Sequence, residues 1–210
     1  MCIRDSLGIS PAGRLLDWGC GCGRVAAFFL TRQPETTLIG CDIDGEAIEW
    51  CRHNLPGEFI RIEPMPPMPL PDAAVDLIIG CSVLTHLGAT DQDRWLREIR
   101  RILAPGGHFL ASTNADFMFQ MRRHRRPCGK LKLICQQLAG VSWAPRHLSG
   151  IKERRSRTLD GIAPSHYYRA VYQSRAHTVE ACSKYYDVVD YVEHGLNGHQ
   201  DLIVLRRDAG

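Results

Sequence analysis

Leu15-Leu16-Asp17-Trp18-Gly19-Cys20-Gly21-Cys22-Gly23-Arg24 decides the fold of this chain. An apolar pair leads into Asp17, and glycine then falls at every second position. A strand ending in such a run turns sharply, because glycine takes positive φ freely and lets the backbone approach a ligand. Val25-Ala26-Ala27-Phe28-Phe29-Leu30 follows without a breaker, as the opening of a helix does. Strand, tight glycine turn and helix together make the nucleotide-type binding turn of a βαβ protein.

The spacing narrows the ligand. A dinucleotide fingerprint needs G-x-G-x-x-G, and Arg24 stands where its third small residue belongs. That counts against a nucleotide-dependent oxidoreductase on the same architecture. The spacing present is Asp-x-Gly-x-Gly-x-Gly. On Asp17, Gly19, Gly21 and Gly23 the chain resembles the class I S-adenosylmethionine-dependent methyltransferases. The resemblance implies that the loop, with Cys20 inside it, wraps the methionine end of S-adenosylmethionine (SAM). SAM has no pyrophosphate, so close approach matters more than an anion cradle, and the Asp17 carboxylate suits an ammonium and a sulfonium.

The next stretches extend the pattern. Thr37 to Cys41 is an apolar strand ending at Asp42, 25 positions after Asp17. A βαβ unit puts a ribose-binding carboxylate near that distance. Gly40-Cys41-Asp42-Ile43-Asp44 resembles the second methyltransferase motif, which implies Asp42 on the ribose hydroxyls with Ile43 beside it. Asp44 is the better cap for a helix over 45–54. Phe59 to Ile62 is a short third strand, followed by a proline-dense segment over 63–71. The resemblance implies that the adenine passes this segment, on Glu63 or on Met65 and backbone; read from its prolines alone, the segment is a stiff linker. Ala74 to Gly80 is the fourth strand. Cys81-Ser82-Val83-Leu84-Thr85-His86-Leu87 resembles the fourth motif of the small-molecule branch of the family. Ligands bind outside the carboxyl ends of strands, so Cys81, Ser82 and His86 are placed for contact, although a lone histidine is more often structural than catalytic. Thr90 to Leu103 is amphipathic, capped by Thr90 or Asp91, and Ala104-Pro105-Gly106-Gly107 turns it into a fifth strand over 108–112.

Composition bounds the rest. The chain has 210 residues, 44% of them hydrophobic, which is enough for one domain with a full core. Nine cysteines, at 2, 20, 22, 41, 51, 81, 128, 135 and 182, include no second pair at zinc spacing. The odd, scattered count argues for reduced thiols in a cytoplasmic protein without a metal site. No run approaches the ~20 apolar residues of a membrane span, and Met1 to Ser10 lacks the apolar core of a signal peptide. Met1 to Ser6 matches the translation of a common sequencing-library adapter. The expectation is therefore a metagenomic fragment in which residues 1–6 are an artefact and the native N-terminus, usually a helix in this class, is missing.

Between Asn114 and Tyr172 the regular alternation stops. Residues 117–160 hold eleven Lys or Arg against Glu153 and Asp160, a net +9, and the remainder of the chain carries −6. Residues 115–171 follow the fifth strand and so are expected to lie over the catalytic end as an insertion or lid. A basic lid suits an anionic acceptor, such as a phosphorylated or nucleotide-linked sugar, an acidic glycan or nucleic acid. A solvated basic excursion explains the same charge, although Leu131 to Leu138 and Trp143 are apolar enough to dock.

The tail reads as a helix over 178–186 and two strands over 186–192 and 200–206, joined as a hairpin by 193–198. The segment His166 to His177, with its Tyr172-Gln173-Ser174 run, and His199-Gln200-Asp201 resemble the C-terminal part of bacterial methyltransferases associated with glycan synthesis, with Ala176 where those carry an aromatic. Tyr172, His177 and His199 are candidates for the pocket; alternatively His177 opens a helix and Gln200-Asp201 caps the sheet.

The expected fold is α/β: residues 7–210 form a single domain around a doubly wound, mostly parallel seven-stranded sheet. The strand order is 3-2-1-4-5-7-6, with the last strand antiparallel and a basic insertion after strand 5. The resemblance implies SAM-dependent methyl transfer to an O or N nucleophile of a small acceptor, anionic or sugar-linked, with nucleic acid a lesser prospect. His86, then His177, is the candidate base. The competing reading is a silent module that grips nucleic acid or glycan without catalysis.

Overall fold

A computed structural model describes residues 13–124, 148–156, 161–164 and 166–210, with the backbone alone over 122–124. Residues 1–6, the apolar stretch 131–138, Trp143 and basic residues 125, 126, 130, 132, 146 and 157 lie outside the described residues.

The sheet grows around β1 (Arg14–Trp18), which lies between β2 (Thr37–Asp42) and β4 (Val75–Gly80). Leu16 registers with Ile39 on one side and Ile78 on the other, both parallel. Leu15 and Leu16 are fully buried because helices cover both faces, which is why these strands read as unbroken apolar runs. β3 (Glu58–Arg61) and β5 (Leu103–Thr113) extend the sheet to either side. β9 (Gln200–Arg206) pairs antiparallel with β5, and β8 (Asp187–Leu196) antiparallel with β9. The order β3-β2-β1-β4-β5-β9-β8 is the expected doubly wound sheet.

Helices α1 (Arg24–Arg32), α2 (Gly45–Asn54) and α3 (Ala89–Ile102) connect the parallel strands. Asp44 caps α2, its Oδ1 accepting from the Glu46 and Ala47 N–H groups. The apolar stripe of α3, Trp95, Leu96, Ile99 and Ile102, is buried, and each such side chain contributes roughly 1.5–3 kcal/mol. Trp95 tilts against Trp18, ring centroids 5.3 Å apart, so the core reaches the carboxyl end of β1.

Three local expectations change. The helix expected at 178–186 is α5 (Arg175–Ser183), three residues earlier, because the Ser174 side chain accepts from His177 N and starts it there. The six-residue hairpin loop shrinks to the three residues Asn197-Gly198-His199, where Asn197 and Gly198 take φ values of 53° and 69° and His199 N donates back to Leu196 O at 3.1 Å. Neither Thr90 nor Asp91 caps α3: Gly88 occupies the N-cap, and Glu153 supplies the carboxylate, Ala89 N donating to its Oε1 at 2.8 Å.

The insertion carries structure that the alternation did not announce. After α4 (Asp116–His124), β6 (Ile151–Arg155) and β7 (Arg169–Gln173) form a separate antiparallel ribbon. One face of β7, Ala170 and Tyr172, packs with Leu148 and the side chains of Met118 and Phe119 on α4. Among the described residues no helix is long and apolar enough to cross a membrane.

Candidate functional site

A cleft of about 310 Å³ opens at the carboxyl ends of β1, β2 and β4, at the low end of the ~300–1,000 Å³ typical of small-molecule sites. Gly19, Gly21, Asp42 and Ile43 line one part of it, and Cys81, Ser82 and His86 another. The two walls touch. A Cβ on Gly19, which has φ 73°, would stand 2.5 Å from Val83 Cγ2. Gly21, at φ 50°, faces open space where a Cβ would project, so its backbone is bare toward the cleft.

Asp42 is held by the chain beside it. Its Oδ2 accepts from Gly21 N at 2.8 Å and its Oδ1 from Asp44 N at 2.9 Å. A carboxylate has about four acceptor sites, so two stay available for a pair of hydroxyls. A ribose diol beside a bare glycine backbone is the group that these residues fit.

Several sequence candidates lie outside the cleft lining. Asp17 is 1% exposed beneath the glycine turn, its Oδ2 accepting from Ala26 N at 3.0 Å in the first turn of α1. Burial pushes its carboxyl up to about 7, against the pull of the Ala26 N–H, and the Asp42 charge adds to the rise. Asp17 therefore pins the turn to the helix. Cys20 is buried, with its sulfur against Gly40. Gly23 is the left-handed N-cap of α1, where a Cβ would strike Leu55. His177 sits in the first turn of α5, where its N–H meets the Ser174 cap. Of the tail candidates, Tyr172 is buried in the ribbon and His199 stacks on Phe117, ring centroids 5.9 Å apart. Glu63 is exposed, and Ile62 lines the cleft in its place.

His86 is the chemically poised side chain. It ends a single 3₁₀ turn, Leu84–His86, after β4. Its Nδ1 lies 3.0 Å from the Arg169 carbonyl, which can only accept, so Nδ1 carries the proton and Nε2 a lone pair. Burial lowers its pKa and the Arg169 bond acts against that, so the ring is neutral at pH 7. Tyr168 stacks on it, ring centroids 4.1 Å apart at 16°. Gln92 Nε2 lies 2.8–3.0 Å from three acceptors, Leu84 O, Leu87 O and Gln173 Oε1, which share its two hydrogens and tie the 3₁₀ turn to β7. Tyr168, Arg169 and Gln92 were not singled out from sequence, because their roles arise across 80 or more positions.

Fold and cleft together define a Rossmann-like domain built for an adenosyl cofactor. Residues 16–111 match the family described as a methyltransferase domain. Those residues, a little under half of the chain, carry the likeness to the class I SAM-dependent methyltransferases, and SAM is the cofactor of that class. It is 39% identical over 113 residues to a "probable S-adenosylmethionine-dependent methyltransferase" of Mycolicibacterium smegmatis, covering 53% of this chain and 42% of that one. To a fatty-acid O-methyltransferase of the same organism it is 34% identical over 100 residues, 46% and 35% of the two chains. The chain thus spans about two fifths of the length of the curated relatives it matches. A SAM-dependent methyltransferase structure from Methanosarcina mazei superposes with a TM-score of 0.68 at 15% identity, over 100% of this chain and 99% of that one, which is a likeness of fold.

Proposed function

We propose that the protein transfers the methyl group of SAM to an oxygen or nitrogen nucleophile of a small acceptor, anionic or sugar-like, with His86 as the general base. Bound in the cleft, SAM supplies a methyl already activated by its sulfonium. The chain's work is therefore alignment and proton removal. Gly19, Gly21 and Asp42 position the cofactor in this reading, and His86 Nε2 takes the acceptor's proton. The observation that carries the proposal is the 3.0 Å contact between His86 Nδ1 and the Arg169 carbonyl, an acceptor that calls for the proton on Nδ1 and so leaves Nε2 to accept. The exposed Lys152, Arg154 and Arg155 on β6 support a negatively charged acceptor.

A relative named for fatty-acid O-methylation suggests a carboxylate acceptor, already anionic at pH 7 and needing no base. The two acceptor types separate in one experiment. The chain is incubated with SAM and either hydroxylated sugar phosphates or fatty acids, and S-adenosylhomocysteine (SAH) release is followed with and without His86→Ala. Hydroxyl transfer that collapses in the variant supports the proposal. Carboxylate transfer indifferent to it removes His86 as base, and a silent chain that binds no SAH removes the activity.

A further inference from the structure

We infer that Gln200 is a positioning residue for the cofactor cleft: from the antiparallel hairpin it holds Ser82 in the left-handed conformation that shapes one wall. The inference rests on the cofactor reading above. His199-Gln200-Asp201 stood out in the sequence, and the mechanism leaves it without a task. Gln200 opens β9, 118 positions from Ser82, yet its Oε1 accepts from Ser82 Oγ at 3.0 Å and from Ser112 Oγ at 2.7 Å. Ser112 Oγ in turn accepts from Ser82 N at 2.7 Å. The Thr85 hydroxyl donates to the Ser82 carbonyl. Every polar group of Ser82 is thus held by the chain, and three of these bonds converge on the Gln200–Ser112 pair.

This convergence has a reason in the backbone. Ser82 has φ 63° and is the single non-glycine residue in the left-handed region among the described residues that line the cleft. An L side chain rarely stays there unless its surroundings over-determine it. Ser82 leads directly into Val83, which abuts Gly19, and into the turn that carries His86. Release of Ser82 to negative φ would displace Val83 from its seat beside the glycine turn and so reshape the cleft wall. Gln200 prevents this through contacts that lie outside the cleft lining.

The test uses SAH as the probe and needs no acceptor. SAH is titrated calorimetrically into the wild type, Gln200→Leu, Ser82→Gly, Ser82→Ala, Gln200→Glu and the Gln200→Leu/Ser82→Gly pair, with thermal melts beside each. Gln200→Leu is expected to weaken SAH about tenfold in the wild-type background. In the Ser82→Gly background the same change is expected to cost less than about twofold, because glycine holds φ 63° without an anchor. Gln200→Glu, whose carboxylate accepts from both hydroxyls, recovers most of the loss. Independently of any Gln200 variant, Ser82→Gly is expected to bind SAH more tightly than Ser82→Ala, although both lack the hydroxyl. An equal loss in both backgrounds, no loss at all, or Ser82→Ala binding as well as Ser82→Gly overturns the inference while the cofactor reading stands. A well-folded wild type that binds no SAH overturns both.

Discussion

The wall of the cleft at the glycine turn and the wall that follows β4 are built by different kinds of contact. On the glycine-turn side the deciding hydrogen bonds are short in sequence: Asp44 to Ala47, Asp17 to Ala26 nine apart, and Asp42 to Gly21 twenty-one apart. On the other side, His86 meets Arg169 at 83, Gln92 meets Gln173 at 81 and Ser82 meets Gln200 at 118. The first wall is the product of one βαβ unit. The second is assembled when the ribbon and the hairpin dock on the turn after β4, so its geometry depends on elements that share little sequence neighbourhood.

The comparison breaks first at His86. His86→Ala is expected to lower turnover about 10²–10⁴-fold and to change SAH affinity far less, as loss of a base does. Its pKa lies below the ordinary histidine value, so wild-type turnover should rise with pH through a midpoint below 6.5 and stay flat above it. A parallel loss of turnover and SAH affinity would make His86 a folding residue and the two walls a single unit. Next in size is Asp42→Ala, expected to weaken SAH at least about 100-fold by removing the carboxylate proposed for the ribose and freeing Gly21 N and Asp44 N. Calorimetric titration checks it, and retention of affinity would move the ribose elsewhere.

The same division explains what could be read from the residues alone. Sheet order, the glycine turn, Asp42 and the Asp44 cap follow from motifs whose partners lie within one crossover. His86 was legible as a position, because strands of such sheets present their ends to the ligand. Its tautomer was not, since the Arg169 carbonyl comes from a ribbon that hides in a basic, breaker-rich segment. Asp17 misled for a physical reason: a carboxylate before a glycine run suits a cation, yet the backbone turns so that the carboxylate faces the open N–H groups of α1. The α3 cap misled similarly, because Thr90 and Asp91 were the local choice and Glu153 arrives from 64 positions away.

Asp17 sharpens the glycine-turn side through pH. Its folded pKa is about 7 against 3.8 for the free group, so between those values the folded chain binds the extra proton. Stability contributed here is present below about pH 4 and is lost as pH rises toward 7, on the order of 2–4 kcal/mol over the window. Asp17→Asn, which keeps an acceptor for Ala26 N, should flatten that slope relative to the wild type in denaturant melts at several pH values. Parallel slopes for the two proteins would mean that the carboxylate is ionised under the turn, stabilised by the helix N-terminus.

The smallest effect tests how firmly the wall after β4 is clasped. Glu153 accepts from Ala89 N at 2.8 Å, caps a helix whose N-cap glycine has no side chain, and pairs with Arg169 at 3.4 Å. Glu153→Ala leaves the first N–H groups of α3 without this acceptor, worth about 1 kcal/mol, or roughly 2–4 °C in Tm for a chain of this size. Glu153→Gln keeps an acceptor for Ala89 and loses the ion pair, so it should fall between the two. Arg169 also supplies the carbonyl that fixes His86, so both variants should shift the His86 imidazole signals in ¹⁵N NMR toward mixed tautomers while SAH affinity holds. An unchanged melt with unchanged His86 signals would mean that β7 is held by its packing against α4 and the turn after β4 alone, and that the clasp is a consequence of docking rather than a cause.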